Sequence, residues 1–406
     1  MSKKIAALGL LLCLMLSGCS VTGLVVKAVY PDQKERPTSV DESILQSVQE
    51  FSAATSAELL SENDGNMLYS PLSLYYALAM TAEGTEGETR EEMNELLRVD
   101  QTDRFAQNCG DLYRRLYRDQ EGHMLRLANS LWLQEDVEFL ESYQDQMKTN
   151  FYASLYSVDF GAQETADQMG RWVSEQTGGL LEYEYDPDPS KILTLLNTVW
   201  LKDAWRTTFG ESNTKAGTFY NQDRTESTVS FMHSQSMGTV WKGEGFMRAA
   251  LPLVDCGYVA FILPDEGVDL QDLYNGEEKM TELLWGGKAQ GAEIEWSVPK
   301  IRIESTLELA EYLQEKIPTA FSMIADFSGM LKGTEAYISD VRQKTYLEWD
   351  EEGLEAAAYT EVSVNETAAA LPGTSVTMNL NRPFLFAIMT ENLPVFVGRY
   401  DKGVEA

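Results

Sequence analysis

The sequence predicts an α+β fold with large β-sheets, and three observations lead to that prediction. Apolar residues at helical spacing come mainly early in the chain, whereas strand-like runs come mainly late. Helical and strand-like stretches do not alternate strictly, as a parallel α/β sheet would require. With 44% hydrophobic residues in 406, the chain can bury a substantial core.

Two helices are predicted near the start of the domain. Residues 41–60 carry apolar side chains at helical spacing and should form an amphipathic helix. Ser70 before Pro71 marks a second start, because serine can cap a helix whose first position is proline. This helix should cover residues 72–82 and end at Gly84. The positions that define the buried face of the first helix are Ile44, Val48, Phe51 and Thr55.

The predicted strands follow. Residues 192–201 and 257–264 are apolar almost throughout, which is typical of a strand buried on both faces. Residues 293–303 and 346–350 alternate between apolar and polar side chains, as in a strand with one buried face. The chain should close with a hairpin of two strands, 384–389 and 395–398.

The N-terminus is a predicted export signal. Lys3 and Lys4 precede an apolar run, 5–16, that is too short to span a bilayer. The run ends in Leu16-Ser17-Gly18-Cys19, which resembles the lipobox of bacterial lipoproteins, where the cysteine is lipidated and becomes the new N-terminus. We therefore expect residues 1–18 to be removed and Cys19 to carry lipid. An ordinary signal peptide with an incidental cysteine is the alternative.

The rest of the chain is predicted to be a tether followed by one domain. Residues 19–40 contain two prolines and lack sustained periodicity, which favours a flexible tether. Residues 41–401 contain no further linker, repeat or low-complexity tract, so we expect a single domain. Cys109 and Cys256 either pair or remain as buried free thiols, and the fold does not depend on a disulfide framework.

The net charge of −32 excludes several partners. Nucleic acids, heparin-like polyanions and anionic membrane surfaces bind clustered Lys and Arg, which this chain does not offer. We expect membrane contact through the lipid anchor only. His123 and His233 are too isolated for a zinc site, and no catalytic motif or cofactor-binding motif is present. A Cys256–His233 nucleophile pair is disfavoured because Cys256 begins an apolar strand.

The segment 345–381 stands out because it contains neither Lys nor Arg. A trypsin-like protease therefore has no cleavage site there. Drawn as a strand, 354–364 would carry small or apolar side chains on one face, so it could insert into a sheet without burying a charge. Composition alone favours a flexible Ala-rich surface loop. The uncharged face would consist of Leu354, Ala356, Ala358, Thr360, Val362 and Val364.

These residues resemble the serpins, a family of serine protease inhibitors. Residues 350–358, DEEGLEAAA, resemble the family's reactive-loop hinge, and 381–386, NRPFLF, resemble the strand after that loop. Other segments match in the family's order, namely NMLYSPLS at 66–73, NTVWLKDAW at 197–205, LPD at 263–265, VPK at 298–300, ADFSG at 325–329 and VFVGR at 395–399.

The resemblance implies a fold with three β-sheets, eight or nine helices and an exposed reactive loop at about 351–381. It implies a protease inhibitor, not an enzyme, without cofactor or metal. A target protease attacks the loop, forms an acyl ester and is trapped when the loop inserts as a new strand of the main sheet. The implied hinge comprises Glu351, Glu352, Gly353, Leu354, Glu355, Ala356, Ala357, Ala358, Tyr359 and Thr360. Leu354 departs from the Thr, Ser or Val usual at its position.

The resemblance also assigns residues around the loop. Lys300 and Glu351 match a family ion pair where the loop meets the sheet, and Trp205 matches the tryptophan beneath. A polar cluster under the opening strands corresponds to Ser70, Ser73 and Asn197. Gln343 stands where the family usually has histidine, and its amide can still donate and accept hydrogen bonds.

Family spacing places the scissile bond at Thr367-Ala368, with Ala368-Ala369 and Ala369-Ala370 as alternatives. Small side chains suit a narrow apolar pocket, so an elastase-like or subtilisin-like serine protease is the expected target. We expect an exported monomer, lipid-anchored at a bacterial cell surface or in the periplasm. The alternative function is a non-inhibitory serpin-fold lipoprotein with a chaperone or ligand-binding role.

Overall fold

The structure is a computed structural model that describes residues 23–100, 104–333, 336–338, 341–354 and 375–404. In these ranges, helices that are both long and apolar enough to cross a membrane are not found.

The described residues contain nine α-helices, in agreement with the fold that the resemblance implies. Asp41 caps the first helix by accepting from the backbone of Ser43, and Ser70 caps the second by accepting from Ser73. Both predicted helices are therefore confirmed. The helices are α1 Glu42–Glu62, α2 Pro71–Ala82, α3 Gly87–Leu96, α4 Phe105–Leu116, α5 Glu141–Asn150, α6 Gln163–Gln176, α7 Leu270–Tyr274, α8 Glu277–Trp285 and α9 Ala310–Lys316. Short 3-10 turns cover Gln33–Glu35, Glu211–Asn213 and Pro318–Phe321.

The strands are mostly late in the chain, as predicted. They are β1 Leu24–Val26, β2 Met67–Tyr69, β3 Arg118–Gln120, β4 His123–Gln134, β5 Ala153–Val158, β6 Leu193–Ala204, β7 Lys215–Tyr220, β8 Glu226–Gly243, β9 Phe246–Pro252, β10 Tyr258–Pro264, β11 Lys288–Pro299, β12 Ile301–Glu308, β13 Arg342–Trp349, β14 Gly353–Leu354, β15 Ser375–Asn379, β16 Phe384–Thr390 and β17 Leu393–Tyr400.

Hydrogen bonds join these strands into two sheets. The first has the order β1-β5-β4-β6-β14-β13-β12, with β3 also pairing with β4. The second has the order β15-β11-β8-β9-β10-β16-β17-β2, with β7 also pairing with β8. The resemblance implies three sheets, but β8 pairs with β11 along most of its length and with β9 at Val240–Gly243. This long strand connects what would otherwise be two sheets. Helix α2 packs against β6 of the first sheet and β17 of the second.

Two strand predictions need correction. Residues 293–303 form not one strand but the ends of two, because β11 stops at Pro299 and β12 begins at Ile301 in the other sheet. Strand β6 is half-buried along most of its length, although its sequence predicts burial on both faces. Its exposure comes from a cleft along one edge of the strand. Strand β10 and the β16–β17 hairpin are buried as predicted.

The segment predicted as a flexible tether overlaps residues that pack onto the domain. Strand β1 pairs with β5, with Leu24 opposite Tyr156. Tyr30 stacks on Tyr117 at a ring distance of 5.6 Å, and its hydroxyl donates to Gln176. From Gly23 onward, the tether is therefore attached to the edge of the first sheet.

Candidate functional site

The candidate site begins where the chain turns back from β13 into β14. The Asp350 N–H donates to the Gly353 carbonyl at 3.0 Å, and the Asp350 carboxylate accepts from the Glu352 N–H at 2.9 Å. This tight turn directs the next two residues between β13 and β6. Leu354 pairs with Trp349 on one side and with Asp203 on the other. We call this closed part of the sheet the upper end.

Gly353 is required at the upper end by close packing. A Cβ at this position would lie 2.3 Å from the Asp203 carbonyl oxygen and 2.5 Å from the Ala204 Cα. Leu354, next to it, is fully buried. The hinge was expected to be exposed, but 353–354 already form a central strand of the sheet. At the C-terminal end of the predicted loop, Ser375–Asn379 form β15, which pairs in parallel with β11.

Trp205 lies directly beneath this turn, as the resemblance implies. Its indole N–H donates to the Asp350 carbonyl at 2.8 Å, and its backbone N–H donates to the Glu352 carbonyl at 2.9 Å. The ring is 2% exposed and packs edge-on against Trp349 and Phe209. The indole thus fixes the backbone of the turn while it fills the space below it.

Lys300 and Glu351 form the ion pair that the resemblance predicts. The Lys300 Nζ lies 3.0 Å from the Glu351 carboxylate, which also accepts from the Thr214 hydroxyl at 2.7 Å. Partial burial opposes ionisation of Glu351, but the hydrogen bonds from Thr214 and Lys300 outweigh it and lower the pKa of the carboxyl. The pair ties the turn to the link between β11 and β12.

Farther down, β6 and β13 separate and leave a cleft between them. Within the described residues, β14 is the element that joins the two strands. A cavity of about 370 Å³ lies at the lower end of this cleft. It is lined by apolar side chains of α2 and β6 and by the first residues of β13, including Leu74, Leu78, Leu193, Leu195, Gln343 and Lys344.

The wall formed by β13 is tied to α2 through Gln343. The Gln343 side-chain oxygen accepts from the Ser70 N–H at 2.8 Å, and its amide donates to the Ser70 carbonyl at 2.9 Å. The Ser70 hydroxyl donates to the Val395 carbonyl at 2.7 Å. Glutamine thus uses its donor and its acceptor together on one backbone unit.

The opposite wall, β6, is tied to the same helical turn through Ser73. The Ser73 hydroxyl donates to the Asn197 side-chain oxygen, and the Asn197 amide donates to Asn129 on β4. Asn129 in turn donates to the Phe151 carbonyl at 2.7 Å. The hydrogen bonds of Gln343 and Asn197 thus run to the start of α2 from opposite sides of the cleft. The first turn of α2 therefore connects both walls.

Sequence reasoning missed Asp203, which adjoins β14 on β6. Its fully buried carboxylate lies 2.5 Å from His123 Nδ1 and accepts from the backbone N–H groups of Asp255 and Cys256 at 2.9 and 2.6 Å. Acidic residues are too common in this chain for one of them to attract notice. The signal was its place at the end of an apolar strand, where an unpaired carboxylate would be costly.

Several predicted site residues lie outside the described part of the chain. These are Cys19, the hinge residues Glu355, Ala356, Ala357, Ala358, Tyr359 and Thr360, and the candidate scissile residues Thr367, Ala368, Ala369 and Ala370.

The Cys256–His233 nucleophile pair, which the sequence disfavours, lies among the described residues. Burial raises the pKa of the Cys256 thiol, which disfavours a nucleophilic thiolate. Cys109 and Cys256 are both free and buried.

Comparison with known proteins gives consistent results. The sequence profile of the family Serpin (serine protease inhibitor) matches residues 46–402. Intracellular coagulation inhibitor 2 of Tachypleus tridentatus is 29% identical over 395 residues, which cover 92% of this chain and 95% of that protein.

Solved structures agree with the sequence comparison. The thermophilic serpin tengpin in its native state superimposes with a TM-score of 0.79 at 28% identity, covering 93% of this chain and 98% of that chain. Thyroxine-binding globulin in complex with thyroxine has a TM-score of 0.75 at 23% identity, covering 89% and 99%.

Proposed function

The chain belongs to the serpin family of serine protease inhibitors, and on that premise we propose that it is a suicide substrate for an elastase-like or subtilisin-like serine protease. The serine hydroxyl of the target attacks the carbonyl of Thr367, the peptide bond to Ala368 breaks, and an acyl ester to the protease forms. The new amino group at Ala368 leaves with the C-terminal fragment. The loop then inserts between β6 and β13 and carries the protease with it before water cleaves the ester.

The observation that carries this proposal is the position of β14 between β6 and β13. Its register determines where a longer strand would lie. Since Leu354 is opposite Trp349 and Asp203, residue 356 would lie level with Leu347 and residue 358 with Thr345. Both β13 side chains are buried. Alanine at 356 and 358 meets the requirement for small, uncharged groups on that face.

The same register gives Thr360 a specific place. It would lie level with Gln343 on β13 and with Asn197 on β6, at the point where α2 holds both walls. A threonine hydroxyl both donates and accepts, so it could join the polar groups of the two walls.

The opposite face of the inserted strand would carry the charges. Glu361 would lie beside Arg342 of β13, whereas Glu355 would lie between Lys202 of β6 and Glu348 of β13. Opposite charges on neighbouring strands are favourable, whereas like charges are not. Glu361 therefore favours the register that places the small residues inward, and Glu355 meets one charge of each sign.

Target and location are part of the proposal. Small residues at 367–370 leave a deep charged or aromatic pocket unfilled, which favours proteases with a small primary pocket. The net charge of −32 would attract a cationic protease at a rate that salt reduces. The protein would act as an exported monomer, lipid-anchored through Cys19 at a bacterial cell surface or in the periplasm.

The test is to incubate the protein with an elastase, a subtilisin and trypsin and to look for complexes that survive denaturation. We expect such complexes with the first two classes and release of a fragment that begins at residue 368. The release of cleaved chain without any denaturation-resistant complex would contradict the proposal. Fragment masses starting at 369 or 370 would move the scissile bond to an alternative.

Two matched variants test the insertion register. Ala358→Glu would place a charge against the buried Thr345 and should convert the inhibitor into a substrate. Ala357→Glu makes the same change on the half-buried face beside Tyr346 and should retain most complex formation. Equal behaviour of the two variants would show that the register is wrong.

A non-inhibitory serpin with a chaperone or ligand-binding role is distinguished by heat. After loop cleavage, an inhibitory serpin gains a central strand and should melt at a much higher temperature. Unchanged melting after complete cleavage would favour the non-inhibitory role.

A further inference from the structure

The N-terminal segment joins the domain at the end of the first sheet farthest from the hinge. The Ser157 N–H donates to the Gly23 carbonyl at 2.7 Å. Ser157 pairs with Leu133, and Leu133 pairs with Leu193, the first residue of β6. The hinge meets β6 at Ala204, its last residue. At about 3.3 Å per residue, roughly 36 Å separates the two levels.

The chain between the predicted lipid site and this point is short. Four residue steps separate Cys19 from Gly23, which span at most about 14 Å even when fully extended. The pairing of β1 with β5 fixes the position of Gly23 on the sheet. A lipid on Cys19 would thus hold this end of the domain, which we call the lower pole, close to a bilayer.

The lower pole also carries the two most exposed large apolar side chains of the described residues, with an exposed tyrosine near them. Met323 and Ile324 are each 73% exposed, and Tyr337 is 52% exposed. They belong to the connection between β12 and β13, which starts and ends at the paired residues Glu308 and Arg342. The Ile338 N–H donates to the Ala320 carbonyl at 2.9 Å, which brings Tyr337 beside the turn that precedes Met323. Contiguous exposed apolar patches mark contact surfaces.

We propose that the lower pole contacts the lipid bilayer in which Cys19 is anchored, with Met323, Ile324 and Tyr337 in the interfacial layer. Apolar and aromatic side chains favour that layer, and the anchor keeps them at high local concentration. This inference rests on the lipidation of Cys19 in the proposed function. It orients the reactive loop away from the membrane, toward proteases in solution.

The charged side chains near the lower pole determine which lipids it should contact. The positive groups near this surface are paired, Lys332 with Glu138, Lys316 with Glu58 and Arg342 with Glu308, and Asp326 adds a negative charge. Anionic lipid attracts clusters of Lys and Arg, and this pole lacks such a cluster among its described residues. The contact should therefore be stronger on phosphatidylcholine vesicles than on vesicles that contain phosphatidylglycerol.

The test compares two methionines on the acylated protein, which begins at Cys19, in phosphatidylcholine vesicles with a lipid-borne quencher. Met323→Cys labels the lower pole with an environment-sensitive dye. Met237→Cys is the matched control, because Met237 is 58% exposed and pairs with Glu293, which also pairs with Ser375 just after the loop. Burial raises the pKa of the Cys109 and Cys256 thiols, so the engineered cysteine takes the label.

We expect quenching at position 323 to be several times that at position 237, with a blue shift at 323 only. Equal quenching, or stronger quenching at 237, would overturn the proposal. The mass of the same preparation reports acylation separately, and an unmodified Cys19 would overturn the premise together with this inference. The inhibition assay on the same sample tests the proposed protease target independently.

A second measurement isolates the side chains from the anchor. With the dye at Tyr337→Cys, the double change Met323→Ser and Ile324→Ser should reduce quenching several-fold, whereas Met237→Ser should not alter it. Quenching that persists in the double variant would show that the anchor alone places this pole at the surface, and would overturn the role of the apolar residues.

Discussion

The two ends of the cleft between β6 and β13 are held together by different interactions. At the upper end, β14 completes the sheet with strand pairing, and Trp205 packs beneath it. At the lower end, the walls are held through the side chains of Gln343 and Asn197, which bond to one turn of α2. The upper end is built as a continuous sheet, whereas the lower end retains a cavity.

The difference shows that one sheet combines an end closed by strand pairing with an end held by side-chain hydrogen bonds. Strand pairing and aromatic packing fix the backbone at the upper end, where Asp203 and Leu354 are fully buried. At the lower end, the residues of β6 are half-buried. Substitutions at the two ends should therefore differ in their cost to the free energy of unfolding.

Trp205→Ala should cause the greatest loss, because it removes a buried ring together with the hydrogen bond to Asp350. Truncation of a buried Trp typically costs about 3–5 kcal/mol of unfolding free energy. Urea unfolding of the native form measures it. Trp205→Phe keeps the packing and should lose clearly less. If Trp205→Ala lowers the free energy of unfolding no more than Gln343→Ala does, the contrast between the two ends is wrong.

Gly353→Ala should make the upper end resemble the lower end. The added Cβ would meet the Asp203 carbonyl at 2.3 Å, so β14 should leave the sheet, at an overpacking cost of about 1–3 kcal/mol. Limited proteolysis should then cleave within 350–354. Gly210→Ala is the matched control, since its Cβ would meet its nearest neighbour at 3.4 Å. Equal protection of both variants would contradict the prediction.

Gln343→Ala should weaken the lower end alone. It leaves the buried Ser70 N–H without its acceptor, which typically costs about 1–3 kcal/mol, while the Ser70 carbonyl still accepts from the Leu74 N–H. Urea unfolding measures the loss. Gln343→His, which introduces the residue usual in the family, should recover part of it. If Gln343→His is no more stable than Gln343→Ala, the hydrogen bonds from this side chain are not the source of the stability.

Breaking the Lys300–Glu351 pair should have the smallest effect, about 0.2–1 kcal/mol, because both side chains are partly exposed. Since the pKa of Glu351 is lowered in the folded state, its contribution is present above the ordinary glutamate pKa of about 4.3. It is lost as the pH falls through the folded value. Glu351→Gln should thus be less stable than wild type at pH 7, and the difference should shrink as the pH falls below the ordinary glutamate pKa. Urea unfolding over a pH series measures it, and a difference that does not change with pH would contradict this electrostatic origin.

Local sequence signals were sufficient for the helices that build the site. The spacing of Ile44 and Val48 defines α1, and the cap at Ser70 before Pro71 defines α2, without reference to the rest of the fold. The residues of the polar cluster and their grouping with Gln343 came instead from the family resemblance. Local patterns could not supply that grouping, because Gln343 and Ser70 are 273 positions apart.

The errors have a common physical cause. Strand β6 has the apolar sequence of a central strand, but its exposure depends on how far its neighbour β13 lies from it. The alternation across Lys300 continues even though the chain changes sheets there. Strand β1 has only three residues, and its stability comes from pairing with the distant β5. In each case, tertiary contacts decide what the local pattern leaves open.

The connection of both walls to one turn of α2 has a consequence for the order of events in the cleft. A strand that grows downward from Leu354 passes Lys202 to Thr198 before it reaches Asn197, so its first five added residues leave the serine contacts of α2 intact. The sixth reaches the level of both Asn197 and Gln343. Under the proposed insertion, growth would therefore have an early stage that leaves the hydrogen bonds to α2 intact and a later stage that reaches them.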